Sequence, residues 1–229
     1  MLSFVFLVVK MHPYTEYLWH HFFKTCEPGA VEAVVMSPGA EFLPNWAVKI
    51  TTPHFAYPKK SLRFSKEMVM LMNAGVEAAA PNSTVAFLSD TSIPLVSCGT
   101  ATSRLLGKNY YFIKKKPPCY KSSQWISLDK TLWTEAYSNL GVPANWSHQC
   151  RNRMPGAFDE FLMRERFFRA DDRVNQETHA VYWRQRIGDG HPDILDQGEL
   201  QDAAGRNFLF ARKFLPSPNV TFKMSWLDR

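Results

Sequence analysis

Cysteine is scarce, and its spacing excludes the common zinc modules. The 229-residue chain has four, Cys26, Cys98, Cys119 and Cys150. No two stand as Cys-x-x-Cys, so a structural zinc ribbon or finger is not expected. Four cysteines allow three pairings or none, and spacing does not choose among them. Long hydrophobic runs are missing too. The most apolar stretch, Leu2–Val9, falls far short of the about 20 residues that a membrane span requires. It lacks the basic start and small-residue cleavage site of a secretory signal. A buried first strand explains it better; the protein is then soluble, or an anchor lies upstream of this chain.

Charge of one sign never runs to five residues. Basic residues come as Lys59-Lys60, Lys114-Lys115-Lys116, Arg151/Arg153, Arg164/Arg166/Arg169 and Arg212-Lys213, many with acids between them. A net charge of +6 is compatible with nucleic acid, an anionic membrane or an anionic small molecule. No zinc-finger spacing or paired aromatic RNA-binding motif is present, so nucleic acid is not the expected partner. Internal repeats and low-complexity tracts are absent.

What is there suits a folded domain. Hydrophobic residues make up 45% and charged residues 21%, enough for a real core. Seventeen Phe and seven Trp point to an aromatic core or cleft. Three Asn-x-Ser/Thr sequons, at Asn82, Asn145 and Asn219, exceed the about one or two expected by chance and lean toward the secretory pathway.

The pattern along the chain reads as α/β. An apolar, β-rich run over 2–9 is followed by helical spacing from Tyr14 to Phe23 and a second short strand, Val31–Met36. Strand, helix, strand opens a nucleotide-binding sheet. Residues 37–64 are Pro-rich and irregular. Ser65 caps a helix reaching about Ala80, whose methionines read as core filler. Val85–Leu88 is a strand ending at Ser89-Asp90-Thr91-Ser92. Short strands follow at Tyr110–Ile113 and Gln124–Leu128, separated by a basic loop, Lys114–Tyr120. Helices are expected at Lys130–Leu140 and Phe158–Phe168. The last strands are Ala180–Trp183 and Asn207–Phe210, with a loop over 188–198 between them. Ligands in open α/β sheets sit at the carboxyl ends of strands, which makes Ser89–Ser92 a candidate site.

Several segments, in order, resemble the core-2/I-branching β-1,6-N-acetylglucosaminyltransferase family and its plant relatives, cousins of peptide O-xylosyltransferases. They are Phe4–Val9 with Trp19–Lys24; Phe87–Leu95; Lys121–Trp125 with Leu128-Asp129-Lys130; Phe158–Phe161; Val181-Tyr182-Trp183 with Gly190-His191-Pro192; and Phe208–Phe214. Phe158 stands where the family has proline, and Ser122 where it has glycine. The resemblance implies a glycosyltransferase A-like fold, a Rossmann-like mixed sheet flanked by helices in a single domain. Residues 1–215 would be catalytic and 216–229 a surface segment.

It also implies a metal-independent, inverting transfer from a UDP-sugar to a glycan or glycoprotein hydroxyl. The sugar would be of the N-acetylglucosamine, xylose or glucuronic acid class. The setting would be the Golgi or secretory lumen, with membrane association only through a segment outside this chain. No cofactor is expected. The alternative is a catalytically inactive relative that binds glycan or nucleotide sugar.

The residue chemistry can be set beside this. An inverting transfer needs one base, and Glu160 matches the family's catalytic position; its neighbour Asp159 suits a helix cap and borders the acceptor. The departing diphosphate gains charge. The chain has no Asp-x-Asp to hold a metal, so Arg212 and Lys213 are the expected phosphate clamp. Asp90 either hydrogen-bonds the donor's sugar or ribose or caps its turn, and Ser89 could do the same more weakly. Trp125 and Trp183 either wall the sugar site or fill the core. By resemblance, Val8 would lie near the uracil.

Overall fold

In this computed structural model the described residues are 1–8, 11–37, 48–51, 72–110, 113–116, 119–122, 125–140, 173–174, 178–181 and 196–214. The segment 216–229 and the expected helix Phe158–Phe168 lie outside them. The fold is mixed α/β.

The first strand, β1 (Leu2–Leu7), is buried along its whole length. It is covered on both faces, as parallel strands are, and so is apolar at nearly every position. Helix α1 (Pro13–Lys24) follows. His12 caps it, accepting from the Tyr14 amide at 3.2 Å, and Pro13 occupies the first helical position, where its missing N–H costs nothing. Glu16 in the first turn and Lys24 in the last match the helix dipole. Next come β2 (Val31–Ser37) and β3 (Val48–Thr51), the latter within the stretch expected to be irregular. Residues 72–78 are helical, α2. Then β4 (Thr84–Ser89) is again buried throughout.

The short β5 (Ile93–Pro94) leads into α3 (Cys98–Leu105), which the sequence did not disclose. Its composition is poor in helix formers. It is held by its Ser97 cap, which accepts from the Thr100 amide at 3.3 Å, and by buried Ala101 and Leu105. Gly107, at φ +69°, turns the chain out of it. The expected strand Tyr110–Ile113 is split: β6 is Asn109–Tyr110, and β7 (Ile113–Lys116) pairs with β8 (Cys119–Ser122) as an antiparallel ribbon where a basic loop was expected. Next, β9 (Ser127–Asp129) starts later than expected, and Asp129 caps α4 (Lys130–Leu140) by accepting from the Thr131 amide at 2.8 Å.

The chain continues through β10 (Arg173–Val174) and β11 (His179–Val181) to α5 (Gln197–Gly205). That helix begins inside the expected 188–198 loop. Asp196 and Glu199 form a reciprocal capping box, which the glycines around it obscured. The final described strand is β12 (Phe210–Arg212), two to three residues later than expected, so Arg212 lies in the strand rather than after it.

Seven strands form one sheet in the order β10-β6-β9-β4-β1-β2-β3. β3, β2, β1 and β4 run parallel, while β9 is antiparallel to both β4 and β6. A smaller sheet has the order β11-β12-β5.

The expected aromatic content is core. Phe4, Phe6, Trp19, Phe22 and Phe210 are buried together. Phe6 meets Trp19 edge-on at 4.9 Å and Phe4 meets Phe22 edge-on at 5.7 Å, the geometry the ring quadrupoles favour. Helix α1 serves both sheets: Trp19 and Phe22 join this cluster, and Leu18 joins a second one with Ile93, Leu95, Leu200 and Phe214. A disulfide, Cys26–Cys98, ties the end of α1 to the start of α3 across 72 residues. It settles one pairing that spacing left open.

Candidate functional site

The sheet reverses its winding between β1 and β4, since β2 and β3 lie on one side of β1 and β4 on the other. Such a switch point opens a crevice at the carboxyl ends of the two strands. Here the Asp90 amide donates to the Leu7 carbonyl at 3.3 Å, joining the two ends.

The turn after β4 is knotted by its own hydroxyls. Ser89 Oγ lies 3.0 Å from Ser92 Oγ and 3.2 Å from Thr91 Oγ1, and the Ser89 amide donates to Ser92 Oγ at 3.1 Å. Trp19 Nε1 donates to the Ser92 carbonyl at 2.7 Å, anchoring the turn on α1. Ser89 is thus engaged within the turn. Val8 is buried in the aromatic core. Asp90 alone of the three reaches partial exposure.

β12 brings the cations to this turn. It pairs antiparallel with β5, Phe210 opposite Pro94 and Ala211 opposite Ile93, so one further step sets Arg212 opposite Ser92. The Phe214 amide donates to the Thr91 carbonyl at 2.9 Å, holding the residues after the strand against the turn. Lys213 lies between these two fixed points and is partly exposed.

The Arg212 guanidinium sits 4.1 Å from the centre of the Trp125 ring, a cation–π contact strengthened by exclusion of water. Burial lowers its pKa to about 10, and the nearby Asp90 carboxylate opposes that shift. It remains charged at neutral pH. Trp125 is itself buried, at 5% exposure.

One residue of this cluster was not legible in the sequence. His179 in β11 lies 5.4 Å from the Trp125 ring and 5.0 Å from Phe210, centre to centre. Thr178 Oγ1 has one proton, and it goes to the Trp125 carbonyl at 3.2 Å. The same oxygen can therefore only accept from His179 Nδ1, 3.0 Å away. That network assigns the Nδ1–H tautomer and leaves Nε2 as an acceptor. Burial first, and then Arg212, hold the imidazole pKa well below its usual value, so the ring is neutral. Both His179 Nε2 and Arg212 Nε are buried without a hydrogen-bond partner. A bare acceptor and a bare donor thus accompany the same guanidinium, where buried polar groups are ordinarily satisfied. The only signal in the sequence was a Thr-His pair ahead of an apolar strand.

Of the residues picked from the sequence, the fold gathers Asp90, Trp125, Arg212 and Lys213 around the Ser89–Ser92 turn. Glu160, Asp159 and Trp183 lie outside the described residues. Among the described residues, no three His, Cys, Asp or Glu side chains cluster as metal ligands, and no helix is long and apolar enough to cross a membrane. No family model matches the chain, and no curated protein matches it.

Proposed function

We propose that the protein is a glycosyltransferase of the glycosyltransferase A-like type, related to the core-2/I-branching enzymes, using a UDP-sugar donor. One observation carries this reading: the largely buried Arg212 guanidinium, held on Trp125 and near Asp90 at the β1/β4 switch point. A desolvated cation at that crevice is suited to a diphosphate. Further support comes from the ordered motifs of the sequence and from the strand order 3-2-1-4 followed by an antiparallel strand. The Cys26–Cys98 disulfide fits an oxidising, secretory compartment.

In the reaction, Glu160 takes the proton from the acceptor hydroxyl as that oxygen attacks the anomeric carbon. The bond from that carbon to the β-phosphate oxygen breaks, and its electron pair leaves with UDP. Arg212 and Lys213 bear the charge that develops there. Asp90 accepts from a hydroxyl of the donor's sugar or ribose. Trp125 serves chiefly by holding the guanidinium in place, which leaves the sugar wall to other residues.

Thermal unfolding with UDP, UDP-N-acetylglucosamine, UDP-xylose and UDP-glucuronic acid tests this reading. At about 100-fold excess over the dissociation constant, a bound nucleotide should add about 2.7 kcal/mol, or roughly 5–10 °C in a chain of this size. EDTA should not change the shift, and Lys213→Ala should remove most of it. Glu160→Gln should keep the shift and lose transfer. A shift that vanishes with chelator would overturn the metal-free step, and no shift with any nucleotide would overturn the donor assignment. A shift without turnover in the native chain would mark an inactive binding relative.

A further inference from the structure

The net charge of the protein has one address. The chain holds 27 basic and 21 acidic residues. From residue 91 to residue 128 there is no Asp or Glu, yet six basic residues occur: Arg104, Lys108, Lys114, Lys115, Lys116 and Lys121. Taking those six away leaves 21 basic against 21 acidic, so this one segment accounts for the whole +6.

Four of the six lie in the β7–β8 ribbon. Its register pairs Lys114 with Lys121, Lys115 with Tyr120 and Lys116 with Cys119. Paired residues share a face, and faces alternate along a strand. Lys114, Lys116 and Lys121 therefore share one face of a ribbon about 13 Å long. Lys114 and Lys121 are a like-charge register pair, a pairing that strands ordinarily avoid.

Topology places this ribbon at the same edge of the sheet as the site. Both β4 and β6 are antiparallel to β9, so β6 runs the same way as β4. The ribbon leaves from the carboxyl end of β6 and returns just before Trp125 and β9. It therefore rises from the edge that carries Asp90 and Arg212.

We infer that the lysine face is the acceptor-binding arm, and that it takes an acidic glycan, one carrying carboxylate or sulfate groups near the hydroxyl that is glycosylated. This inference rests on the transfer reading above. In that reading the donor's phosphates are met by Arg212 and Lys213, so a second set of cations on the same edge suits the second substrate. A narrow ribbon of four-residue strands fits one extended chain better than a broad membrane surface.

Fluorescence anisotropy of the whole chain with a labelled oligogalacturonate, and with a neutral maltodextrin of equal length, tests the inference over a salt series. The acidic probe should bind and the neutral one should not. Lys114→Gln/Lys116→Gln/Lys121→Gln should weaken binding roughly tenfold or more at low salt, and should lower the salt slope by about one per lysine removed. A control with the same charge loss, Lys24→Gln/Lys108→Gln/Arg206→Gln, changes exposed residues and should retain affinity.

Lys121→Glu separates binding from folding. It turns a like-charge register pair into an opposite-charge one, so it should not lower the melting temperature, yet it should weaken the acidic probe. Equal losses in the two triple variants would overturn the inference, as would equal binding of the neutral probe. Tighter binding of phosphatidylserine vesicles would assign the face to membranes instead, and equal binding of duplex DNA would show a general polyanion effect; either overturns it. The UDP shift reads separately. Nucleotide binding without uronate binding overturns the acceptor assignment alone, while uronate binding without a nucleotide shift overturns the transfer reading and leaves the face as an acidic-glycan site.

Discussion

The two sheets treat buried polarity differently. At the seven-stranded sheet and on α1, the described buried atoms left without partners are neutral hydroxyls, those of Ser83 and Ser127 at the sheet and Thr15 on the helix. In the three-stranded sheet they belong to an imidazole and a guanidinium, His179 and Arg212. Leaving a buried hydroxyl unmet costs a little, and leaving a buried polar atom of a charged side chain unmet costs more. Both sheets bury apolar clusters, but the small sheet also keeps unmet polar atoms on an imidazole and a guanidinium. The comparison teaches where to look for function: at the polar atoms of the small sheet that folding leaves unmet.

Core truncation should separate the two regions most strongly. Phe6→Ala removes the ring that meets Trp19 edge-on and should cost roughly 3–5 kcal/mol in urea unfolding. Nucleotide affinity, measured on the folded fraction, should barely move. Arg212→Ala should do the reverse. It should lower transfer by about 10²–10³-fold and abolish the UDP shift, with stability changing by no more than about 1 kcal/mol, because a desolvated charge is removed along with its contacts. If Arg212→Ala unfolds the chain and spares the reaction, the assignment of the two sheets is backwards.

The disulfide belongs to the large-sheet side. Replacing Cys26 and Cys98 by serine should cost roughly 2–4 kcal/mol, the loss expected when a 72-residue loop is released, with kcat unchanged.

His179 gives the smallest and most specific effect. Its folded pKa is depressed, so the unfolded chain binds the extra proton first. Stability should be complete above the unfolded value near pH 6.5 and should fall as the pH drops below it, by up to about 1.4 kcal/mol per pH unit. His179→Gln should flatten that slope. A slope that persists in the variant assigns the effect to another group.

Legibility followed the same division. β1, α1, β2 and β4 were readable because burial on both faces imposes apolar runs and α1 carries one apolar side. The small sheet was misplaced by two to three residues at β12, since three-residue strands leave too short a pattern. α3 was hidden by its Ser, Thr and Gly content, and α5 by the glycines beside its capping box. Asp90, Arg212 and Lys213 could be picked out by their place at strand ends. Trp125 is buried, one of the two roles its sequence allowed; nothing in the sequence shows that Arg212 covers it. His179 was missed because a tautomer is fixed by three residues from two distant segments.

β12 is the central strand of its sheet, with β11 on one flank and β5 on the other. Until the ribosome has delivered Phe210–Arg212, those two neighbours are open edges, and the turn at Ser89–Ser92 waits without its cation. Translation therefore supplies this central strand after all the other described strands. A chain cut short before Phe210 would keep those strand edges open and lack Arg212 at the turn, a product prone to aggregate.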